Sequence, residues 1–352
     1  MRLNRAISPL QLWGFKNYRL VHAGRISLAF VAMLIITNIF NIPESTWPLI
    51  TLVVVMGPIS YWGNVLPRAI ERVIGTFVGA ASGIVALYLE TISPIFFIVW
   101  CAVVMFLCGY LTLGKKPYSS LLIGITLAVV VGAHSLDFTK ALWRSGDVIF
   151  GSAFALFCCS IFPQKAFIHW RLNVSQYLFE IGKVHHVLLS PNIVDRPQLK
   201  NKQKTLLADI TRNRTLVSPS AAETHLSSSL LNGIQISMDN CLYTIEKISD
   251  IYWSDRSHHL TLIHAQHLRS CHKATEETFN QLSQMLVSGE VEGAEWRFEN
   301  MNDTIEELKA LTHQQQFHFD PSLYGYVWLN VQLIDELVKL RRLIMLSLKL
   351  TK

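Results

Sequence analysis

RAIERVIGTFVGAASG occupies residues 68–83, and RSGDVIFGSAFALFCC occupies residues 144–159. Each sets charges at the mouth of an apolar run that carries a small residue at every fourth position. At a spacing of 76 residues Arg68 answers to Arg144, Glu71 to Asp147, Gly75 to Gly151, Thr76 to Ser152, Gly79 to Ala155 and Gly83 to Cys159. The echo reaches further back, because TLVVVMG (51–57) matches TLAVVVG (126–132). Chance recurrence of small residues in apolar helices is the alternative, and the matched heptapeptide argues against it.

Composition says where such a repeat resides. Hydrophobic residues make up 51% of the 352, charged residues 16%, and the mean hydropathy is +0.31. A soluble domain carries about 25% charge, so this chain reads as a membrane protein, at least in part. The charge is uneven. Residues 1–165 hold 12 Lys and Arg against 5 Asp and Glu, whereas residues 166–352 hold 19 against 20. That shift sets the expected boundaries: an N-terminal segment 1–24, a membrane domain 25–162 and a helical domain 163–352.

Six apolar runs fall within the first half, at about 25–42, 45–62, 70–89, 94–113, 118–133 and 145–162. A spanning helix needs about 20 apolar residues; the second and fifth runs are short. No signal peptide precedes them. SPLQLWGFKNYRL (8–20) opens on a Ser-Pro helix start and sets Trp13, Phe15 and Tyr18 among basic residues. It reads as a short helix lying on the membrane surface, or else as a basic tail.

Lys and Arg mark the cytoplasmic side. With the N-terminus inside, the inner side collects eleven basic residues and the outer loops only Lys140 and Arg144. Six spans return the chain to the cytoplasm, so both termini are expected there. Three spans per repeat is an odd number, so the second copy enters the membrane from the opposite side. The fold class expected is therefore an all-α membrane protein, six helices in a 3+3 inverted repeat (25–89 and 94–162), followed by a cytoplasmic helical bundle. Many secondary transporters are built this way.

The small residues Gly75, Gly79, Gly83, Gly151 and Ala155 are expected to pack helices closely, which is what holds a bundle together in lipid. The doorway charges admit two readings. In one they are topology anchors and local ion pairs, since Arg144 and Asp147 are three apart on a helix. In the other Arg68, Arg72 and Arg144 receive an anionic substrate, because guanidinium matches carboxylate in a two-pronged geometry. Glu71, Asp147 and His134 then become the proton-coupling candidates. Runs two and five are the expected binding region, being short and bracketed by proline and glycine. There Trp47 and Tyr118 serve as interfacial anchors or stack on an aromatic substrate. Lys115 and Lys116 set topology or draw anions to the inner mouth.

PESTWPLITLVVVM, the RxxxRxxGTxxG doorway, LLIGITLAVVVG and the post-membrane FPQKAFIHWR resemble the fusaric-acid-resistance (FUSC) family, which includes the aromatic acid exporters. The resemblance runs through the whole chain and is nearest to its YeeA-like bacterial inner-membrane branch. Plant aluminium-activated malate channels look like more distant relatives. The resemblance implies export of organic anions, hydroxylated aromatic carboxylates among them, from the bacterial cytoplasm. The best-known exporters are about twice this length, so a homodimer is expected. A proton-driven secondary exporter, an organic-anion channel and a non-transporting membrane scaffold remain the three functional alternatives.

Other chemistries fall away. GYLTLGKK (109–116) fits a phosphate-loop pattern, but Lys116 replaces the hydroxyl residue and the segment lies in an apolar run. No catalytic constellation has a recognisable frame, so no enzyme, cofactor or nucleic-acid partner is expected. His258, His259, His264, His267 and His272 cluster near Cys271 without tight metal-ligand spacing, so no metal is expected either.

Overall fold

The computed structural model describes residues 3–43, 45–57, 61–114, 117–132, 138–161, 163–190, 192–193, 195–254, 262, 266–290, 306 and 321–349. Among them every long element is helical: α1 (Pro9–Lys16), α2 (Tyr18–Ile39), α3 (Thr46–Met56), α4 (Trp62–Ile92), α5 (Pro94–Thr112), α6 (Pro117–Gly132), α7 (Phe138–Ile161), α8 (Ala166–Leu188), α9 (Lys200–Arg214), α10 (Val217–Thr224), α11 (Ser228–Tyr252), α12 (Gln266–Ser288) and α13 (Pro321–Leu348). They form two compact units. One holds Trp13–Lys165; the other holds the described residues up to Leu12 together with those from Ala166 onward.

In the first unit α2, α4, α5 and α7 are long and apolar enough to cross a membrane. Helices α3 and α6 are apolar but shorter, at 11 and 16 residues. At 1.5 Å per residue they reach about 17 and 24 Å, against a hydrocarbon core of about 30 Å. Ser93-Pro94 divides α4 from α5: the Ser93 hydroxyl accepts from the Ile95 amide at 3.3 Å and Pro94 takes the first helical position. Trp100 Nε1 then donates to the Ser82 carbonyl at 3.1 Å, fastening α5 along α4.

The glycine stripe explains the closest approaches. A Cβ on Gly75 would lie 2.7 Å from Leu122 Cβ, one on Gly79 2.6 Å from Thr126 Cβ, and one on Gly83 2.6 Å from Val130 Cγ1. All three neighbours belong to α6. A Cβ on Gly151 would lie 2.8 Å from the Pro48 carbonyl oxygen on α3. So α4 seats on α6 and α7 on α3, at distances only glycine allows. Ala155 is buried in the cluster formed by α2, α3, α4 and α7 around Met33, Leu52 and Val65.

The start of the chain departs from the sequence expectation. The 8–20 stretch is not one helix. Ser8 and Gln11 form a reciprocal cap, Ser8 N to Gln11 Oε1 at 3.0 Å and Gln11 N to Ser8 Oγ at 3.3 Å, and α1 ends at Lys16. Helix α2 starts at Tyr18, seven residues before the expected span, because the basic residues Arg19 and Arg25 continue its helical register instead of preceding it.

In the second unit α8 lies along α12 and α11 along α13, around Phe167, Trp170, Phe279, Leu333 and Ile344, all fully buried. The Glu223 carboxylate caps α8, accepting from the Ala166 and Phe167 amides at 2.9 and 3.2 Å. Arg171 is 2% exposed. Its Nε donates to the Leu286 carbonyl at 2.8 Å, and its Nη1 donates to the carbonyls of Leu3 and Arg5, both at 3.0 Å. The Ile7 amide adds a bond to the Val287 carbonyl at 3.1 Å. The N-terminal segment is thereby tied to the end of α12.

Candidate functional site

The doorway arginines part company in space. Arg144, near the start of α7, is buried, and its guanidinium carbon sits 3.7 Å above the centre of the Trp47 ring on α3. Arg72, one turn before Gly75 on α4, is also buried and faces the Tyr118 hydroxyl on α6. Arg68 lies instead against Gly57, the positive-φ residue that ends α3. A cation there meets the last carbonyls of a helix, where the helix dipole is negative. Arg72, Arg68 and Glu71 all lie within electrostatic range of Tyr118, so α4 and α6 gather those four residues. Asp147, one turn from Arg144 on α7, is buried as well.

Two arrangements therefore recur: a buried arginine on a long helix, an aromatic ring at the second residue of a short one, and a glycine seven residues past the arginine where the helices touch. Arg144, Trp47 and Gly151 make one; Arg72, Tyr118 and Gly79 make the other. The contacts support the pairing of the glycines but not that of the rings: in that register Trp47 answers to Leu122, and Tyr118 lies one turn further from its crossing. Gly151 meets Pro48 and Thr51, whereas Gly79 meets Ile123 and Thr126, and Thr51 aligns with Thr126 in the matched heptapeptides. Gly151 therefore meets α3 as Gly79 meets α6, one turn beyond the Gly75 of the sequence comparison.

Small hydroxyls line both crossings. Thr51 and Ser152 are buried beside Gly151, and neither hydroxyl has a hydrogen-bond partner among the described residues. Thr76, Ser119 and Thr126 are buried where α4 meets α6. A desolvated cation–π contact such as Arg144 over Trp47 contributes about 2 kcal/mol.

Lys115, Lys116 and His134 lie outside the described residues, as do His258, His259, His264 and the side chain of His267. Of that histidine group His272 is described. Its Nε2 hydrogen-bonds the Tyr326 hydroxyl at 2.8 Å, its ring meets that of His185 edge-on, and burial lowers its pKa to about 4. Cys271 is fully buried, which pushes its thiol up to about 12. Among the described residues no three His, Cys, Asp or Glu side chains are placed to hold a metal ion.

Arg25 is the residue that sequence reasoning passed over. Counted as a topology charge, it stands on α2 at the edge of an apolar groove of about 480 Å³ between α2 and α7. Its helical spacing with Leu28, Ala29 and Ala32 was the available signal. A cavity of about 190 Å³ in the second unit, lined by Tyr177, Glu180, Lys202 and Asp209, has its charges paired locally, with Lys202 2.6 Å from Glu180.

Comparison with known proteins places the chain. Residues 19–343 match the model of the fusaric acid resistance protein family. The inner membrane protein YeeA of Escherichia coli (strain K12) is 43% identical over 351 residues, covering 99% of this chain and all of YeeA. A shorter stretch is 26% identical over 159 residues to the p-hydroxybenzoic acid efflux pump subunit AaeB of Pantoea ananatis (strain LMG 20103), covering 40% of this chain and 24% of that protein. With apolar helices of spanning length and a family match over most of its residues, the chain belongs to the fusaric acid resistance protein family and is a multi-pass membrane protein.

Proposed function

We propose that this protein carries small organic anions, aromatic carboxylates first among them, out of the cell across the bacterial inner membrane by a proton-coupled secondary mechanism. The observation that carries the proposal is the buried Arg144 guanidinium stacked 3.7 Å over Trp47 at a glycine-mediated helix crossing. A guanidinium binds carboxylate in a two-pronged geometry, and an indole ring stacks on aromatic groups. At the other crossing Arg72 faces the Tyr118 hydroxyl, a hydrogen-bonding pair without the stacked ring. Similarity to a p-hydroxybenzoic acid efflux subunit supports the substrate class.

The architecture in this proposal is six membrane segments in two inverted halves, α2–α4 and α5–α7, with both termini in the cytoplasm and two copies per transporter. A two-fold exchange of α3 with α6 and α4 with α7 would relate the two glycine crossings. The same exchange relates α2 packed on α3 and α7 to α5 packed on α6 and α4. Short α3 and α6 then supply the interrupted spans beside which such proteins hold substrate. Glu71 and Asp147 are the proton carriers, one beside each buried arginine.

Purified protein in liposomes tests the mechanism. Uptake of radiolabelled 4-hydroxybenzoate is followed with and without an imposed proton gradient, for wild type, Glu71→Gln and Asp147→Asn. Gradient-driven accumulation that either variant loses is the expected result. Passive equilibration unaffected by the gradient or by those changes makes the protein a channel. Absence of flux across a panel of organic anions ends the transport reading in favour of a scaffold.

A further inference from the structure

The groove between α2 and α7 has one wall from Leu20 to Ala32 of α2 and the other from the last two turns of α7. Both helices are of membrane-spanning length. Leu20, Leu28, Phe157 and Ile161 on its rim are 60–74% exposed, so it opens toward lipid. Its floor is small: Gly24, Ala29 and Ala32 leave the space that larger side chains would fill. Arg25 is the single charged residue of the lining.

The dimensions point to a chain-shaped occupant. From Leu20 to Ala32 the groove follows twelve residues of helix, about 18 Å at 1.5 Å per residue. One leaflet of a bilayer holds about 15 Å of hydrocarbon. A small aromatic acid would occupy only part of that length. The charge is complementary to an anionic headgroup. Arg25 lies about 8 Å below Leu20, within reach of the interface for an extended guanidinium. Lys16 and Arg19 stand at the same end, and no Asp or Glu precedes Glu44 in the chain. The groove side of α7, from Phe154 to Ile161, is free of acid too.

We propose that this groove is a lipid site: one acyl chain of an anionic phospholipid lies along it, from the leaflet that borders the start of α2 and the end of α7, with the headgroup phosphate held by Arg25. The site is independent of the transport reading, since it requires only that α2 and α7 face the bilayer. Basic residues between membrane helices bind anionic headgroups in this way.

Native mass spectrometry of the full chain, released from detergent with either phosphatidylglycerol or phosphatidylcholine of identical acyl chains, tests it. Wild type is expected to retain phosphatidylglycerol about fivefold better, the preference one interfacial arginine confers. Arg25→Gln should abolish the preference while keeping residual binding of both lipids. Ala32→Phe, which fills the groove, should remove retained lipid of either kind. Equal retention of the two lipids by wild type, a comparison that needs no variant, would overturn the proposal. So would a preference unchanged in Arg25→Gln, dimer masses that Ala32→Phe converts to monomer (a second copy seated in the groove), or displacement of the lipid by millimolar 4-hydroxybenzoate.

Discussion

Three arginines are buried to nearly the same degree, one in the helical unit and two in the membrane unit, and their surroundings differ in kind. Arg171 is closed off by backbone: three carbonyls, from Leu286, Leu3 and Arg5, accept from it. Burial alone lowers its pKa, to about 10. Arg144 and Arg72 meet aromatic side chains on neighbouring helices instead. Carbonyl groups of a folded backbone are fixed and permanent. The Trp47 ring covers one face of the Arg144 guanidinium, and the Tyr118 hydroxyl faces Arg72. Burial of an arginine is therefore not by itself the mark of a site.

The contrast is sharpest in what removal should cost. Arg171→Met strands two buried carbonyls and one partly buried one, so the helical unit should lose about 4 kcal/mol. Thermal unfolding of the purified protein reads this as a large drop in midpoint. A transport defect in that variant should track the folded fraction alone. If Arg171→Met unfolds normally and yet fails to transport, the division between the two kinds of arginine is wrong.

Acid probes the same closed interior next. Burial holds His272 and His169 at about 4 and puts His185 well below its usual range. The unfolded chain then binds more protons than the folded one between about pH 6.5 and 4, so stability falls as pH drops through that window. Each of the two histidines near 4 should withdraw about 2 kcal/mol by about pH 4.5. Chemical denaturation at a series of pH values measures the slope, and His272→Gln should flatten it. The exposed His186–Glu276 pair, 2.9 Å apart, should contribute little.

On the membrane side the expected effects on stability are smaller and those on flux specific. Arg144→Lys keeps the charge and loses the planar stack on Trp47, so flux should fall about tenfold with little change in unfolding midpoint. Trp47→Phe keeps an aromatic face with a weaker quadrupole and should cost only about threefold. A lysine that supports full flux would mean that Arg144 acts as a point charge and that the ring is an interfacial anchor.

Much of this was legible in the residues. Composition and the six apolar runs mark a membrane half, and Ser8-Pro9 marks a helix start that the structure builds as a cap. Gly75, Gly79 and Gly83 announce a close crossing. Its partner was not legible, since nothing in the stripe names α6. Nor was the turn at which each glycine meets its neighbour legible, for a physical reason. When small residues recur every fourth position, a shift of one helical turn reproduces the pattern, so Gly75 and Gly79 fit Gly151 about equally well. Only the neighbours, Pro48 and Thr51 against Ile123 and Thr126, separate them. Arg25 was obscured because α2 starts at Tyr18, which turns a flanking charge into one inside a span.

The most direct test of the account is organic-anion flux through Arg72→Ala and Arg144→Ala beside wild type. The variants are first shown to share the wild-type unfolding midpoint, then reconstituted at equal density and assayed with 4-hydroxybenzoate. Each variant is expected to fall to the level of protein-free liposomes, while Arg68→Ala, whose guanidinium sits at the end of α3, retains most of its flux. Wild-type flux in either Arg72→Ala or Arg144→Ala would contradict it.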